Sequence, residues 1–180
     1  KAGWSYDLFV RGHPHSFGNL EGVLPAGSSF AQAWEWIGAN FDPSISWDDL
    51  AFIRQHWKGP IILKGVMCVD DAKRAVDHGL DGIVVSNHGG RQLDGGRASL
   101  TVLPEIARAV GDYTVVLMDG GVRSGLDVVK AMQSGARACL IGRPWAFALA
   151  AGGEAAVTKM LTGMAAEIRT AQVLSAKLAF

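Results

Sequence analysis

Several things are scarce in this sequence, and each shortage excludes a class of function. The basic residues form no run, and 17 Lys and Arg set against 17 Asp and Glu leave a formal net charge of zero. Without a basic stripe there is no electrostatic footprint for nucleic acid and no polybasic anchor, so nucleic acid is not an expected partner. No stretch reaches the roughly 18 uninterrupted apolar residues that a spanning helix requires. The opening "KAGWSYDLF" has neither the charged start nor the apolar centre of a secretory signal. These absences predict a cytoplasmic chain without a spanning helix, for which peripheral contact with the cytoplasmic face of the inner membrane stays open. Cysteine is also scarce: Cys68 and Cys139 lie in or beside apolar segments, not at metal or disulfide spacing. Such usage fits a reducing compartment. Both cysteines read as core residues, and no metal site is expected.

What is present is enough apolar material for one packed core, 49% of 180 residues. The pattern changes near residue 45. Over 1–45, Gly12, Pro14, Gly18, Gly22, Pro25, Gly27 and Pro43 punctuate scattered aromatics from Trp4 to Phe41, with one short helix expected at "SFAQAWEWIG". This reads as a loop-rich aromatic arm, a lid or a partner surface, because long loops in compact domains are usually functional or disordered.

From residue 46 to 180 the pattern is regular. "SWDDLAFIRQHW" sets Ser46 and Asp49 at capping-box spacing, then Leu50, Ile53 and Trp57 on one helical face. Four short apolar strands follow, "IILK", "GIVVS", "TVVLMD" and "ACLIG", each leading into a helix. Such alternation predicts a parallel sheet covered by helices. Lys64, then Ser86 with His88 and Arg91, then Asp119 with Arg123, then Gly142 with Arg143 all stand at the C-terminal ends of successive strands. Convergence of four neighbouring strand ends on one mouth favours a (β/α)8 TIM barrel over an open doubly wound sheet. A complete barrel takes about 250 residues, so the expectation is the C-terminal half, strands five to eight with their helices.

"DGGVRSG" and "IGR" each place glycines between a strand and a helix. Exposed amides, a helix N-terminus and the forks of Arg123 and Arg143 suit a phosphate monoester. Either motif alone could be a tight turn with a solvated arginine; the pair on adjacent strands favours the phosphate. Lys64 could stabilise an anionic cofactor or transition state or form a Schiff base, and a lone lysine is more often a snorkelling surface residue. Within "IVVSNHGGRQLDGGR", a β-branched run stops in Ser86, Asn87, His88 and Arg91 on a glycine-rich turn. His88 could accept a proton near neutral pH and Arg91 could grip a carboxylate through two parallel hydrogen bonds.

"SNHGGRQLD" resembles the active-site signature of the FMN-dependent α-hydroxy acid dehydrogenases and oxidases, which are (β/α)8 barrels. "ILKGV", "DGGVRSGLDVVKA" and "IGRPWAFAL" resemble the same family in order and approximate spacing, over about Phe41 to Ser175. Upstream, "WSYDLFVRGHPHSFGN" and "GANFDPSISWDDL" are more similar to the bacterial L-lactate dehydrogenase branch than to the plant glycolate oxidases. The resemblance implies His88 as the base that takes the substrate proton and Arg91 as the carboxylate-binding residue. It implies Lys64 beside the flavin N1 and C2 carbonyl, Ser86 at the isoalloxazine edge, and Asp119, Gly121, Arg123, Gly142 and Arg143 on the ribityl and phosphate groups. The implied reaction is oxidation of an L-2-hydroxy acid, L-lactate first, to the 2-oxo acid by FMN, with a membrane quinone or another carrier as acceptor. A homo-oligomer is expected, with the N-terminal half of the enzyme required. That half carries the family's substrate tyrosines, second arginine and histidine-orienting aspartate, none of which can be assigned in this chain. The alternatives are an oxidase using oxygen and a non-catalytic flavin- or phosphate-binding half-barrel.

Overall fold

The computed structural model describes Tyr6, Leu20, 22–25 and 27–175. Most of the aromatic arm expected before Gly22 lies outside the described residues. The chain divides into two compact units, Lys1–Trp57 and Lys58–Phe180.

In the first unit, helix α1 (Phe30–Ala39) is started by Ser29. The Gln32 amide donates to Ser29 Oγ at 3.3 Å and the Ser29 amide donates to Gln32 Oε1 at 2.8 Å, a reciprocal capping box. Ala33 is the residue α1 buries. Helix α2 (Asp49–His56) begins three residues after Ser46, whose amide and hydroxyl donate to Asp49 Oδ2 at 2.6 and 3.1 Å. Trp57 does not extend its face as expected: it is the extended C-cap residue, and Pro60 close behind cannot continue a helix.

The second unit is built of βα units. Strands β1 (Ile62–Val66), β2 (Gly82–Val85), β3 (Val115–Met118) and β4 (Ala138–Cys139) form one parallel sheet in the order β1-β2-β3-β4. Between and after them run helices α3 (Val69–Asp77), α4 (Ser99–Val110), α5 (Gly125–Gln133) and α6 (Arg143–Leu174). Sequential neighbours joined by helical crossovers are the topology of a barrel wall, and these four strands are half of a (β/α)8 barrel. Strand β1 runs past Lys64, where the sequence reading ended it. Its register shifts between Lys64 and Val66 around Gly65, so one extra residue bends the strand as a bulge.

One face of the sheet carries the core. α3 packs on β1 and α4, α4 packs on β2 and β3, and α5 packs on β4 and α6. Against these helices the strands turn Ile83, Val85, Val116 and Met118, all 3% exposed or less, while α4 contributes Val102, Leu103, Ile106 and Val110. Each such side chain contributes about 1.5–3 kcal/mol of burial. The opposite face is open at the starts of β1 and β3, with Ile62 50% and Val115 45% exposed, as expected of a barrel wall without its other half.

Helix α6 is interrupted at Gly152 and Gly153. Gly153 takes φ 62°, ψ −151°, a region open essentially to glycine alone, so the helix is two segments, as "PWAFALA" followed by a long amphipathic run suggests. Among the described residues no helix is long and apolar enough to cross a membrane. Of the two cysteines expected in the core, Cys139 is part-buried, and burial pushes its thiol pKa up. Cys68 is exposed, because it is the N-cap residue of α3, and its thiol donates to Asp71 Oδ2 at 3.3 Å.

Gly125, the first residue of α5, lies against α6. A Cβ there would stand 2.2 Å from the Met164 carbonyl oxygen and 2.9 Å from the Ile168 amide nitrogen, both backbone. Gly163 on α6 has open space at the same test. Gly125→Ala should therefore destabilise by about 1–3 kcal/mol through overpacking, whereas Gly163→Ala should stabilise by up to about 1 kcal/mol through helix propensity. Urea midpoints of the two variants and the parent check this opposition in sign.

Candidate active site

The C-terminal ends of β1, β2 and β3 bring three side chains together. The register pairs Lys64 with Val84 and Val84 with Leu117, so Ser86 and Asp119, each two residues further on, point to the same face as Lys64. Lys64 Nζ donates to Ser86 Oγ at 2.9 Å and lies 3.1 Å from Asp119 Oδ2. Ser86 is buried, the Asp119 side chain is 16% exposed and the Lys64 side chain 44%. An ammonium fixed on one side and open on the other leaves donor capacity directed outward. Asp119 Oδ1 is buried without a hydrogen-bond partner among the described residues, an acceptor with spare capacity in the same cluster.

His88 stands in the turn that follows β2. The 3-10 turn His88–Gly90 begins at Asn87, and His88 has φ 57°, the one positive φ outside glycine among the described residues. The His88 amide donates to Ser86 Oγ at 3.1 Å, so one hydroxyl joins the histidine backbone to Lys64. His88 and Arg91 are exposed, and neither side chain has a hydrogen-bond or ion-pair partner among the described residues. Gly120 follows Asp119 at φ 86°, and a Cβ there would stand 2.8 Å from Asn87 Oδ1; the loops after β2 and β3 touch only because this residue has no side chain.

The two glycine turns with arginines are not equivalent. At the start of α5 the amides are already occupied: those of Arg123 and Ser124 donate to Asp127 Oδ2 at 3.0 and 3.1 Å, and that of Gly125 donates to Glu167 Oε2 at 2.6 Å. Two carboxylates at that N-terminus oppose a further anion there. Helix α6 has Gly142 as its N-cap, with no side-chain cap, and Arg143 reaches across to the Gly89 carbonyl at 3.4 Å. Of the two helix starts, that of α6 is the one without a capping side chain among the described residues.

The profile of the FMN-dependent dehydrogenases matches residues 5–176. The chain belongs to that family. It is 55% identical over 175 residues to an L-lactate dehydrogenase of Caulobacter vibrioides strain NA1000 / CB15N, covering 97% of this chain and 46% of that protein. It is 48% identical over 172 residues to an L-lactate dehydrogenase of Xanthomonas campestris pv. campestris strain B100, covering 96% and 45%. Among solved structures, mandelate oxidase with 3,3-difluoro-2-hydroxy-3-phenylpropionic acid superposes with TM-score 0.71 at 50% identity, over 75% of this chain and 41% of that one. A mandelate oxidase variant with a monooxide FMN adduct matches at the same TM-score and identity, over 75% and 43%. The chain thus spans about half the length of the relatives it matches.

Within this member of the family, the structure joins Lys64, Ser86, Asp119 and the His88 backbone directly, and ties Arg143 to the same turn through Gly89. It gives Arg91 and the Arg123 side chain no link to them. Sequence reading missed Glu167, because a glutamate 42 residues from Gly125 carries no local signal of its hydrogen bond. It also missed the contribution of Asn87 as an organiser of the turn, although Asn before Gly-rich sequence favours such turns.

Partial burial opposes ionisation of Asp127, but the Arg123 amide, the Ser124 hydroxyl and amide, and the Lys130 charge outweigh it, so its pKa lies below the ordinary 3.8. A folded-state pKa below the unfolded value means the ionised carboxylate favours folding. That contribution is complete above pH 3.8 and drains away as pH falls through the lower folded value. Asp127→Asn should cost about 0.5–1 kcal/mol at pH 7, the scale of a partly exposed carboxylate at a helix N-terminus. The difference between variant and parent should close under acid, as urea titrations at pH 7 and well below pH 3.8 would read.

Proposed function

We propose that this site binds FMN and takes part in oxidising an L-2-hydroxy acid, L-lactate first, to the 2-oxo acid, with a quinone or another carrier as electron acceptor. The observation that carries the reading is the direct hydrogen bonding of Lys64, Ser86, Asp119 and the His88 turn into one cluster at the strand ends. The residues fit the cofactor. Lys64 offers positive charge from a half-exposed side chain, Asp119 Oδ1 is a buried acceptor with spare capacity, and Arg143 opens a helix with no side-chain cap.

In this reading Gly142 and Arg143 hold the phosphate, with Arg123 and Gly121 along the chain that leads to it and Asp119 accepting from a ribityl hydroxyl. Ser86 meets the isoalloxazine edge. When bound, FMN would supply the acceptor for the two electrons and the carbon-bound hydrogen that leave the substrate. Arg91 clamps the substrate carboxylate through its fork of donors, fixing the hydroxyl-bearing carbon over the mouth of the barrel. His88 takes the proton that the alcohol loses, using the imidazole nitrogen that its exposed turn presents. Lys64, held by Ser86 and Asp119, places fixed positive charge where negative charge gathers on reduction. The L-lactate choice is supported by relatives named L-lactate dehydrogenase, and the chemistry extends to the remaining length that those relatives have and this chain does not.

A second reading, an oxidase that passes electrons to oxygen, is favoured by the likeness to mandelate oxidase. Anaerobic reduction by L-lactate followed by mixing with oxygen or a quinone separates the two. Fast reoxidation by quinone and slow reoxidation by oxygen is expected; the reverse overturns the dehydrogenase reading. Flavin that no 2-hydroxy acid bleaches would leave only a cofactor-binding module.

Two substitutions in the complete enzyme test the assigned roles. His88→Gln should retain flavin and substrate binding while turnover falls by roughly 10²-fold or more, the scale of general-base catalysis. Arg143→Ala should lower flavin content without changing saturation by substrate, because its proposed ligand is the phosphate; visible absorbance per protein and the KM for L-lactate read the two effects.

A further inference from the structure

We infer that Ser99 is a positioning residue that acts through Asn87 to hold the turn carrying His88; the inference rests on the role proposed above for His88. The turn needs external support. His88, Gly89 and Gly90 take φ of 57°, 69° and 71°, three consecutive left-handed residues. For a residue with a side chain that conformation costs about 1–2 kcal/mol.

Asn87 supplies the support with all of its polar groups. Its Oδ1 accepts from the Gly89 amide at 3.0 Å, its carbonyl accepts from the Gly90 amide at 3.0 Å, and its Nδ2 donates to the Arg97 carbonyl at 3.3 Å. Its own amide donates to Ser99 Oγ at 3.1 Å. Ser99 is what ties this arrangement to the core. It is 1% exposed, and it opens helix α4, whose Val102, Leu103, Ile106 and Val110 are equally buried. The N-cap position of that helix is Ala98, which has no side-chain cap, so the Ser99 hydroxyl serves the neighbouring loop. A Cβ at Gly120 would stand 2.8 Å from Asn87 Oδ1 and 3.0 Å from Ser99 Oγ, so the loop carrying Asp119 rests on the same two atoms. Ser99 therefore references both the His88 turn and the Asp119 loop to one rigid helix.

Amide hydrogen exchange on the protein, alone and as Ser99→Ala, Ser99→Thr and Asn87→Asp, tests this without depending on turnover. Ser99→Ala should accelerate exchange at Asn87 to Gly90 by about fivefold to tenfold, the scale of one lost hydrogen bond, with α4 and β2 still protected. Ser99→Thr, which keeps the hydroxyl, should restore the parent pattern. Asn87→Asp, which keeps the acceptor but loses the donor to Arg97, should loosen the same turn. Unchanged exchange at 87–90 in Ser99→Ala overturns the inference, and so does protection lost throughout α4 and β2, which marks a merely structural role.

In the complete enzyme, flavin reduction by L-lactate should fall roughly tenfold to a hundredfold in Ser99→Ala, the cost of a misplaced reacting group. Flavin content and the KM should change far less than the rate, and Ser99→Thr should recover the rate. A loosened turn with an unchanged reduction rate overturns the link to His88. A parent enzyme that no 2-hydroxy acid reduces would instead sink the proposed function, and the exchange data would still decide whether Ser99 holds the turn.

Discussion

Parallel strand register is the constraint on which the rest of this structure depends. Because Lys64, Val84 and Leu117 are level across three strands, the residues two steps beyond the last two, Ser86 and Asp119, meet the lysine on one face. A one-residue slip would turn Ser86 or Asp119 to the helix side, among apolar neighbours. The resulting Lys64–Asp119 pair is partly exposed and contributes little stability. Its consequence is geometric: a long, mobile side chain type becomes a fixed ammonium, held by a buried hydroxyl that also receives the His88 amide.

The same sheet explains why the two glycine turns diverge. Both "DGGVRSG" and "IGR" connect a strand to a helix, and in sequence they offer the same donors to an anion. In the fold, α5 packs so closely on α6 that only glycine fits at its first position, and that proximity brings Glu167 onto the helix end. Asp127 fills the remaining amides. The start of α6 has no side-chain cap among the described residues, and Arg143 there reaches the carbonyl of Gly89 in the His88 turn. Packing between helices thus puts two carboxylates on the amides at the start of α5, which its sequence alone does not show.

Most of the strand and helix pattern was legible because it rests on local periodicity: β2 and β3 are short apolar runs rich in β-branched residues, each leading into a helix as expected. Lys64, Ser86 and Asp119 were legible as strand-end polar residues, although the bulge at Gly65 carries β1 beyond the lysine. What was not legible is long-range. Cys68 looks like a core residue beside an apolar strand, yet the chain exposes it at a helix cap. Ser99 looks like an ordinary residue at a helix start, and nothing within several residues of it announces Asn87 as its partner. Glu167 reads as one more charge on an amphipathic helix. Each depends on which elements pack together, information that periodicity does not carry.

In the proposed function the ammonium of Lys64, fixed by Ser86 and Asp119, faces the flavin and stabilises the charge that reduction places on it. The two-electron reduction potential of FMN in the complete enzyme, compared between the parent and Lys64→Met, tests this most directly. Loss of the ammonium should make the flavin harder to reduce, lowering the potential by tens of millivolts, where about 30 mV corresponds to 1.4 kcal/mol for two electrons. A potential unchanged in a variant that still binds FMN would contradict the claim and place Lys64 outside the flavin's field.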